Sequence, residues 1–210
     1  MTPEAGLWTL ALVFALAFAM LGIFGLTTHA VGVLDATIAR LRGGATGLAK
    51  IFTLSGRALP LLALGLVSVV IFIATKRPVW IPLAIFASQL ASQGLIELGL
   101  KHRFARARPS DWLVRLDLGY SFPSGHSTTA IVFYGAWLLV VLRAPMDRTL
   151  ALSLAALLIA WMIGIDWSRI ALGAHYASDV LGGTLFGCAW LATLIALAMH
   201  LRIPLSLAAP

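Results

Sequence analysis

Two ionisable side chains, His175 and Asp179, lie four residues apart in a polar stretch at residues 168–179, just before a long apolar run. If the helix of that run begins early enough to include His175, both side chains lie on one helical face. A carboxylate that holds one ring nitrogen of an imidazole fixes its tautomer and leaves the other nitrogen available as a nucleophile. Arg169, six residues upstream, can turn toward the same point. The same spacing is common between structural partners, so the pair needs support from the rest of the chain.

A second polar loop contains two cations, Lys101 and Arg108, seven positions apart. Two cations beside a membrane suit a phosphate, whose oxygens accept charge-assisted hydrogen bonds. Pro109 keeps Arg108 out of helical geometry and so restricts the direction of its side chain. The alternative is a basic loop that binds anionic lipid headgroups.

Pro123-Ser124-Gly125-His126 leads directly into another apolar run. A helix N-terminus offers unpaired N–H groups and a positive dipole end, which together bind anions. Gly125 lets the backbone approach a ligand, Ser124 can cap the helix or donate to a phosphate oxygen, and His126 can protonate a leaving group. The alternative is a serine-capped helix with an incidental histidine.

The composition is that of an integral membrane protein. The 210 residues are 60% hydrophobic and 11% charged, whereas a soluble domain is nearer a quarter charged. The net charge of +7 favours anionic headgroups or an anionic substrate over nucleic acid. Only eight acidic residues occur, and none of them cluster at metal-ligand spacing, so we expect no metal. The single cysteine, Cys188, excludes a disulfide framework.

The apolar runs predict an all-α fold, a membrane bundle of six transmembrane helices with the active site at one membrane face. One domain, residues 1–210, would contain spans at residues 7–26, 58–74, 79–100, 127–142, 150–165 and 180–199. A short interfacial helix is expected at residues 31–41, ended by Gly43-Gly44. Gly183-x-x-x-Gly187 predicts close helix packing. Six spans place the loops after the third and fifth spans, which contain the polar groups, on the same face.

Three motifs together resemble the signature of the type 2 phosphatidic acid phosphatase family of integral membrane lipid phosphatases. They are Lys101-x6-Arg108-Pro109, Pro123-Ser124-Gly125-His126 and Ser168-Arg169-x5-His175-x3-Asp179. The resemblance implies that His175 attacks phosphorus to form a phosphohistidine, that Asp179 orients it, and that His126 protonates the leaving oxygen. It further implies phosphoryl-oxygen contacts from a set of five residues: Lys101, Arg108, Ser124, Gly125 and Arg169. Phosphoryl transfer consists mostly of positioning and charge neutralisation, so no cofactor or metal is expected.

The predicted function is hydrolysis of a lipid phosphomonoester or diphosphate, such as phosphatidate, phosphatidylglycerophosphate or a polyprenyl (undecaprenyl) diphosphate. One alternative is a lipid-to-lipid phosphotransferase that uses the same phosphohistidine, and another is a non-catalytic lipid transporter. The expected partners are the lipid phosphate and membrane lipids, without nucleic acid. The motifs specify neither the lipid nor an oligomeric state.

Gln89, Gln93 and Glu97 follow at intervals of four before Lys101 and form a polar stripe on the third span. The stripe lines a headgroup cavity, or it is structural, with Glu97 steadying Lys101.

The sidedness of the site is ambiguous. Lys and Arg number ten in the loops on the motif side: Arg40, Arg42, Lys50, Arg57, Lys101, Arg103, Arg106, Arg108, Arg115 and Arg169. Five lie on the other side: Lys76, Arg77, Arg143, Arg148 and Arg202. The positive-inside rule favours a cytoplasmic site, whereas the resemblance implies a bacterial inner membrane with the site on the periplasmic or outer face.

Overall fold

The computed structural model describes residues 2–110 and 119–203. Arg115, one of the counted loop cations, lies outside these ranges. The main helices are α1 (Pro3–Ile23), α2 (His29–Ile38), α3 (Thr46–Ser55), α4 (Ala58–Ala74), α5 (Trp80–Phe104), α6 (Gly125–Arg143), α7 (Arg148–Ala171) and α8 (Ala177–His200).

The predicted all-α membrane bundle is confirmed. Within the described residues, five helices are long and apolar enough to cross a membrane, namely α1, α5, α6, α7 and α8. The pair α3 and α4 adds a sixth span if it is counted as one helix bent by 55°. The fourth predicted span was expected at residues 127–142 and lies within α6, while α7 continues six residues beyond the predicted end at 165. Helix α3 was not predicted.

Helix α6 is the most buried of these five spans. In its most apolar 18-residue stretch 50% is buried, compared with 11% in α1. Glycines of α8 allow the close contact with α6. A Cβ on Gly183 would lie 2.3 Å from the backbone oxygen of Ser124, and one on Gly187 would lie 2.8 Å from Ile131 Cβ. The predicted role of these two glycines in helix packing is therefore confirmed.

The ends of four helices meet at one end of the bundle. Helices α5 and α7 finish there, and α6 and α8 begin there, so the loops after α5 and α7 are neighbours. The backbone N–H of Ser124 donates to the carbonyl oxygen of Asp179 at 3.0 Å and joins the starts of α6 and α8. Helices α2 and α3 lie at the same end, because Asp35 bonds to Ser178 and Thr53 bonds to Arg169.

Each of α5 and α6 contains a π-helical turn close to this end, at Ile96–Leu100 and Ala130–Gly135. A π turn adds a residue to the helical repeat and changes the direction of the side chains that follow. Lys101 comes directly after the first of these turns. Helix α5 then ends at Ala105, whose φ of +46° is left-handed and cannot continue the helix.

Candidate active site

A cavity of about 710 Å³ opens where α4, α5 and α6 meet the loop before α8. Its polar end holds three cations and two histidines: Arg57, Lys101, Arg108, His126 and His175. The cavity continues deeper along α4 and α5, where Leu61, Leu62, Phe86 and Leu90 line it. A cationic end joined to an apolar channel matches the two parts of a lipid phosphate.

His175 lies between a cation and a carboxylate. Its Nε2 is 3.0 Å from Arg108 Nη1, and its Nδ1 is 3.4 Å from Asp179 Oδ2. A guanidinium only donates hydrogen bonds, so Nε2 acts as the acceptor and the ring hydrogen is on Nδ1, toward Asp179. The electron pair of Nε2 therefore faces the cationic end of the cavity, where it accepts from Arg108 Nη1. The side chain is buried, with 2% of its surface exposed.

Asp179 reaches His175 through a helix cap rather than along a helix face. Helix α8 begins at Ala177, so the condition under which both side chains would share a helical face is not met. Asp179 is the third residue of the helix, and its Oδ2 accepts from the backbone N–H of Tyr176, the N-cap, at 3.0 Å. This half of a capping box turns the carboxylate back toward the loop that contains His175.

Arg108 is held on several sides, as expected for a residue outside a helix. Its Nε donates to the carbonyl oxygen of Gly119 at 3.0 Å, and its Nη1 donates to that of Ala174 at 3.1 Å. Lys101 is also buried, and its Nζ lies 2.6 Å from Glu97 Oε1 one turn earlier on α5. Two of the three predicted phosphate-binding cations, Lys101 and Arg108, therefore line the cavity in fixed positions.

Ser124 is the N-cap of α6, and its Oγ accepts from the backbone N–H of Ser127 at 3.3 Å. Ser124 therefore has the first of its two predicted roles, that of a helix cap. Gly125 and His126 line the cavity, and Ser124 does not. Gly125 has a packing reason as well, because a Cβ there would lie 2.8 Å from Gln93 Oε1. His126 Nε2 lies 3.1 Å from the carbonyl oxygen of Thr53, so this nitrogen carries the hydrogen.

Arg169 is buried and does not line the cavity. Its Nη1 donates to Thr53 Oγ1 of α3. Its backbone oxygen accepts from the N–H groups of Ala174 and His175 at 3.0 and 3.2 Å. Arg169 thus supports the loop that presents the nucleophile candidate.

The polar stripe of α5 has a structural part. Gln89 Nε2 donates to Thr129 Oγ1 at 2.6 Å, and Gln93 Nε2 donates to the Gly125 oxygen at 3.0 Å. These bonds join α5 to the start of α6. Glu97 pairs with Lys101, and all three stripe residues also line the cavity. The stripe therefore has both predicted roles, the structural one and that of lining a cavity.

Four residues near the site were not anticipated from the sequence: Asp35, Thr53, Arg57 and Arg106. Three of them belong to residues 29–57, a segment that the motifs leave unexplained. One signal was available for Asp35, because it is a single carboxylate in an otherwise apolar helix and such a group needs a partner when buried. Among the described residues, no group of three or more His, Cys, Asp or Glu side chains is arranged to hold a metal ion.

Comparison at the family level matches residues 77–202, which contain all three motifs, to the PAP2 superfamily. The chain belongs to this superfamily. The match begins just before α5 and ends after α8, so the PAP2 region contains every residue of the predicted site.

Curated relatives are lipid phosphatases by name. The chain is 34% identical over 131 residues to a lipid A 1-phosphatase of Rhizobium johnstonii, covering 56% of this chain and 48% of that protein. It is 35% identical over 92 residues to phosphatidylglycerophosphatase B of Escherichia coli K12, covering 43% of this chain and 34% of that protein. The chain thus aligns with half or less of the length of these relatives.

The fold matches a solved structure over nearly its whole length. The crystal structure of a transmembrane PAP2 type phosphatidylglycerolphosphate phosphatase from Bacillus subtilis aligns with a TM-score of 0.77 and 22% identity. The alignment covers 93% of this chain and 98% of that one. The region before residue 77 therefore shares the fold of that protein.

Proposed function

We propose that the protein hydrolyses a lipid phosphate through a covalent phosphohistidine on His175. The observation that carries the proposal is the position of His175 Nε2, 3.0 Å from Arg108 Nη1 at the cationic end of the cavity. A phosphate bound by Arg108 and Lys101 would take the Arg108 Nη1 donor from Nε2, and its phosphorus would then lie against the electron pair of this nitrogen.

In the first step, Nε2 of His175 attacks phosphorus, and the bond from phosphorus to the lipid oxygen breaks. Asp179, whose Oδ2 lies 3.4 Å from Nδ1, stabilises the positive charge that develops on the ring. His126, which enters this step protonated on both ring nitrogens, gives a proton to the departing oxygen. Because its Nε2–H is bonded to Thr53, Nδ1 is the nitrogen that transfers this proton.

In the second step, a water molecule attacks phosphorus, the phosphorus–nitrogen bond breaks, and inorganic phosphate leaves. His126 accepts the proton of the water, so both histidines return to their starting states. Lys101, Arg108 and the Gly125 N–H neutralise charge on the phosphoryl oxygens, and no metal is required by this scheme.

The substrate class follows from the cavity and from the names of the relatives. The apolar channel beside the cations suits an acyl or prenyl chain. Phosphatidate, phosphatidylglycerophosphate, a phosphorylated lipid A and undecaprenyl diphosphate are the candidates. Purified protein in detergent with EDTA is expected to release phosphate from at least one of them.

The assay compares the wild type with His175→Ala and with His102→Ala. His102 is an exposed histidine on the same side of the bundle that does not line the cavity, so it controls for loss of a histidine. Activity in EDTA that disappears only in His175→Ala supports the proposal. Activity that EDTA abolishes contradicts it, and phosphate recovered on an acceptor lipid rather than in solution identifies a phosphotransferase instead.

We further propose a bacterial inner membrane with the site on the outer face. Five of the ten motif-side cations are occupied by the site, which reduces the charge argument for a cytoplasmic site. Arg57, Lys101 and Arg108 line the cavity, and Arg106 and Arg169 bond to site residues. Setting these aside leaves five cations on each side, so loop charge no longer favours either orientation.

Labelling of single cysteines in spheroplasts tests this orientation. In a Cys188→Ala background, a membrane-impermeant maleimide should label His102→Cys and leave Lys76→Cys unlabelled. Both positions are exposed, and they lie at opposite ends of α5, because Lys76 precedes this helix and His102 is in its last turn. The reverse pattern would place the site in the cytoplasm.

A further inference from the structure

A cluster of ion pairs and hydrogen bonds lies at the start of α8, among residues that do not line the cavity. Arg106 Nη1 donates to Asp179 Oδ1 at 2.5 Å and to Ser178 Oγ at 2.7 Å. Arg106 Nη2 donates to Asp35 Oδ2 at 2.8 Å. The guanidinium carbon also lies 4.3 Å from the centroid of the Tyr176 ring, a cation–π contact. Arg106 is therefore held in one position by three side chains of α8 and its cap and by one of α2.

Asp35 connects α2 to the first turn of α8. It is a buried carboxylate, with 8% of its surface exposed. Its Oδ1 accepts from the backbone N–H of Ser178 at 2.8 Å, and its Oδ2 accepts from Ser178 Oγ at 2.8 Å. Burying a carboxylate is costly unless its oxygens are paired. Here both oxygens are used, and they fix α8 against a helix 143 residues upstream.

Asp179 uses its two oxygens for different contacts. Oδ1 accepts from Arg106, while Oδ2 accepts from the Tyr176 N–H and lies 3.4 Å from His175 Nδ1. Because Oδ1 is held, the carboxylate cannot rotate about its side-chain bond, and Oδ2 stays directed at His175. The direction of the Asp179 carboxylate toward His175 is therefore set by Arg106 together with the Tyr176 N–H.

The charges are balanced in a way that keeps Asp179 a good acceptor. Burial alone would lower the pKa of Arg106, but Asp179 and Asp35 raise it above its ordinary value, so Arg106 is charged. Asp35 takes a share of this positive charge. Without Asp35, the whole charge of Arg106 would act on Asp179 and would weaken the electrostatic attraction of Asp179 for the His175 ring.

We propose that Asp35 and Arg106 are positioning residues for phosphoryl transfer, with Asp35 holding Arg106 and Arg106 fixing the Asp179 carboxylate against His175. The inference rests on the proposed function of His175. Neither residue touches the substrate, so their effect is on the rate of the chemical step rather than on phosphate binding. The inference also gives the segment before α4 a function, which the motifs do not.

Kinetics of three variants, Asp35→Asn, Arg106→Lys and the double variant, test the proposal. Asp35→Asn keeps the shape and removes the charge, while Arg106→Lys keeps the charge but cannot bridge two carboxylates. Displacement of a catalytic group by about 1 Å costs roughly 100-fold in rate, so we expect each single variant to lose about 10- to 100-fold in kcat. KM, and inhibition by inorganic phosphate, should stay within about twofold of the wild type, because Lys101 and Arg108 are untouched.

The double variant separates positioning from independent structural damage. If the two residues act through one contact, it should lose no more than the worse single variant. Asp147→Asn is the matched control, since Asp147 caps α7 at the opposite end of the bundle and asparagine caps equally well.

Three results would overturn the proposal: a normal kcat in folded Asp35→Asn, losses that multiply in the double variant, or phosphate inhibition that weakens along with kcat. If Asp35→Asn does not fold, Arg106→Lys alone decides, since a normal kcat there also contradicts the proposal. An active His175→Ala would instead refute the proposed function, so the two failures are distinguishable.

Discussion

One added methyl group at Gly183 of α8, a residue that does not line the cavity, should disturb the active site strongly. An alanine Cβ there would lie 2.3 Å from the Ser124 backbone oxygen and 2.9 Å from Ser127 Cβ, whereas ordinary contact begins at 3.4 Å. The backbone oxygen cannot rotate away, so the start of α6 must move by about 1 Å. His126 lies two residues after Ser124 and moves with it.

The expected losses follow from this displacement. Overpacking of a close helix contact costs about 1–3 kcal/mol of unfolding free energy. A shift of about 1 Å in a group that transfers a proton costs roughly 100-fold in kcat. Gly183→Ala should therefore lower the midpoint of thermal unfolding in detergent and reduce phosphate release by about two orders of magnitude.

Gly94→Ala provides the matched control. Gly94 lies within α5, and a Cβ there meets nothing within 4 Å. The same substitution in open space should be neutral or stabilising by up to about 1 kcal/mol, because alanine favours the helix. If Gly183→Ala keeps both the unfolding midpoint and the activity of the wild type, the close packing of α6 on α8 does not position His126.

Three further substitutions test the cations around the site. Thr53→Val keeps the side-chain shape but removes the oxygen that accepts from Arg169. We therefore expect a loss of about 1–3 kcal/mol in unfolding free energy and a slower reaction. An unchanged midpoint of thermal unfolding would contradict the buried contact. Lys101→Met removes a cation that lines the cavity, so kcat/KM should fall by about 100-fold, whereas Glu97→Gln should cost far less because Glu97 is half exposed. Equal losses in the two variants would mean that the ion pair, and not the Lys101 charge, is what matters.

The sequence predicted the residues that line the cavity better than the residues that hold them in place. Lys101, Arg108, His126 and His175 are separated by up to 74 positions in the chain, yet all line one cavity, as the parity of the spans required. Parity works because a membrane allows a helix only two directions. The contact of Asp179 with His175 was also expected, although it arises from a helix cap, which a spacing of four does not distinguish from a helix face.

The residues that hold the site in place were not predicted, because their hydrogen bonds join helices far apart in the sequence. Asp35 bonds to Ser178 across 143 positions, and Thr53 bonds to Arg169 across 116. Hydrophobic periodicity predicts that a helix has an apolar face but not which neighbour covers it. Helix α3 was missed for a local reason, since Gly43, Gly44 and Gly47 suggested a loop.

Detection of a covalent phosphoenzyme tests directly whether His175 is the nucleophile. Protein mixed with a ³²P-labelled lipid phosphate and quenched in alkali within milliseconds should carry label that is stable to base and released by acid, as a phosphorus–nitrogen bond requires. The label should form in the wild type and in His102→Ala and should be absent in His175→Ala. Rapid phosphate release with no labelled protein at any time, or label that persists in His175→Ala, would exclude a phosphohistidine on His175.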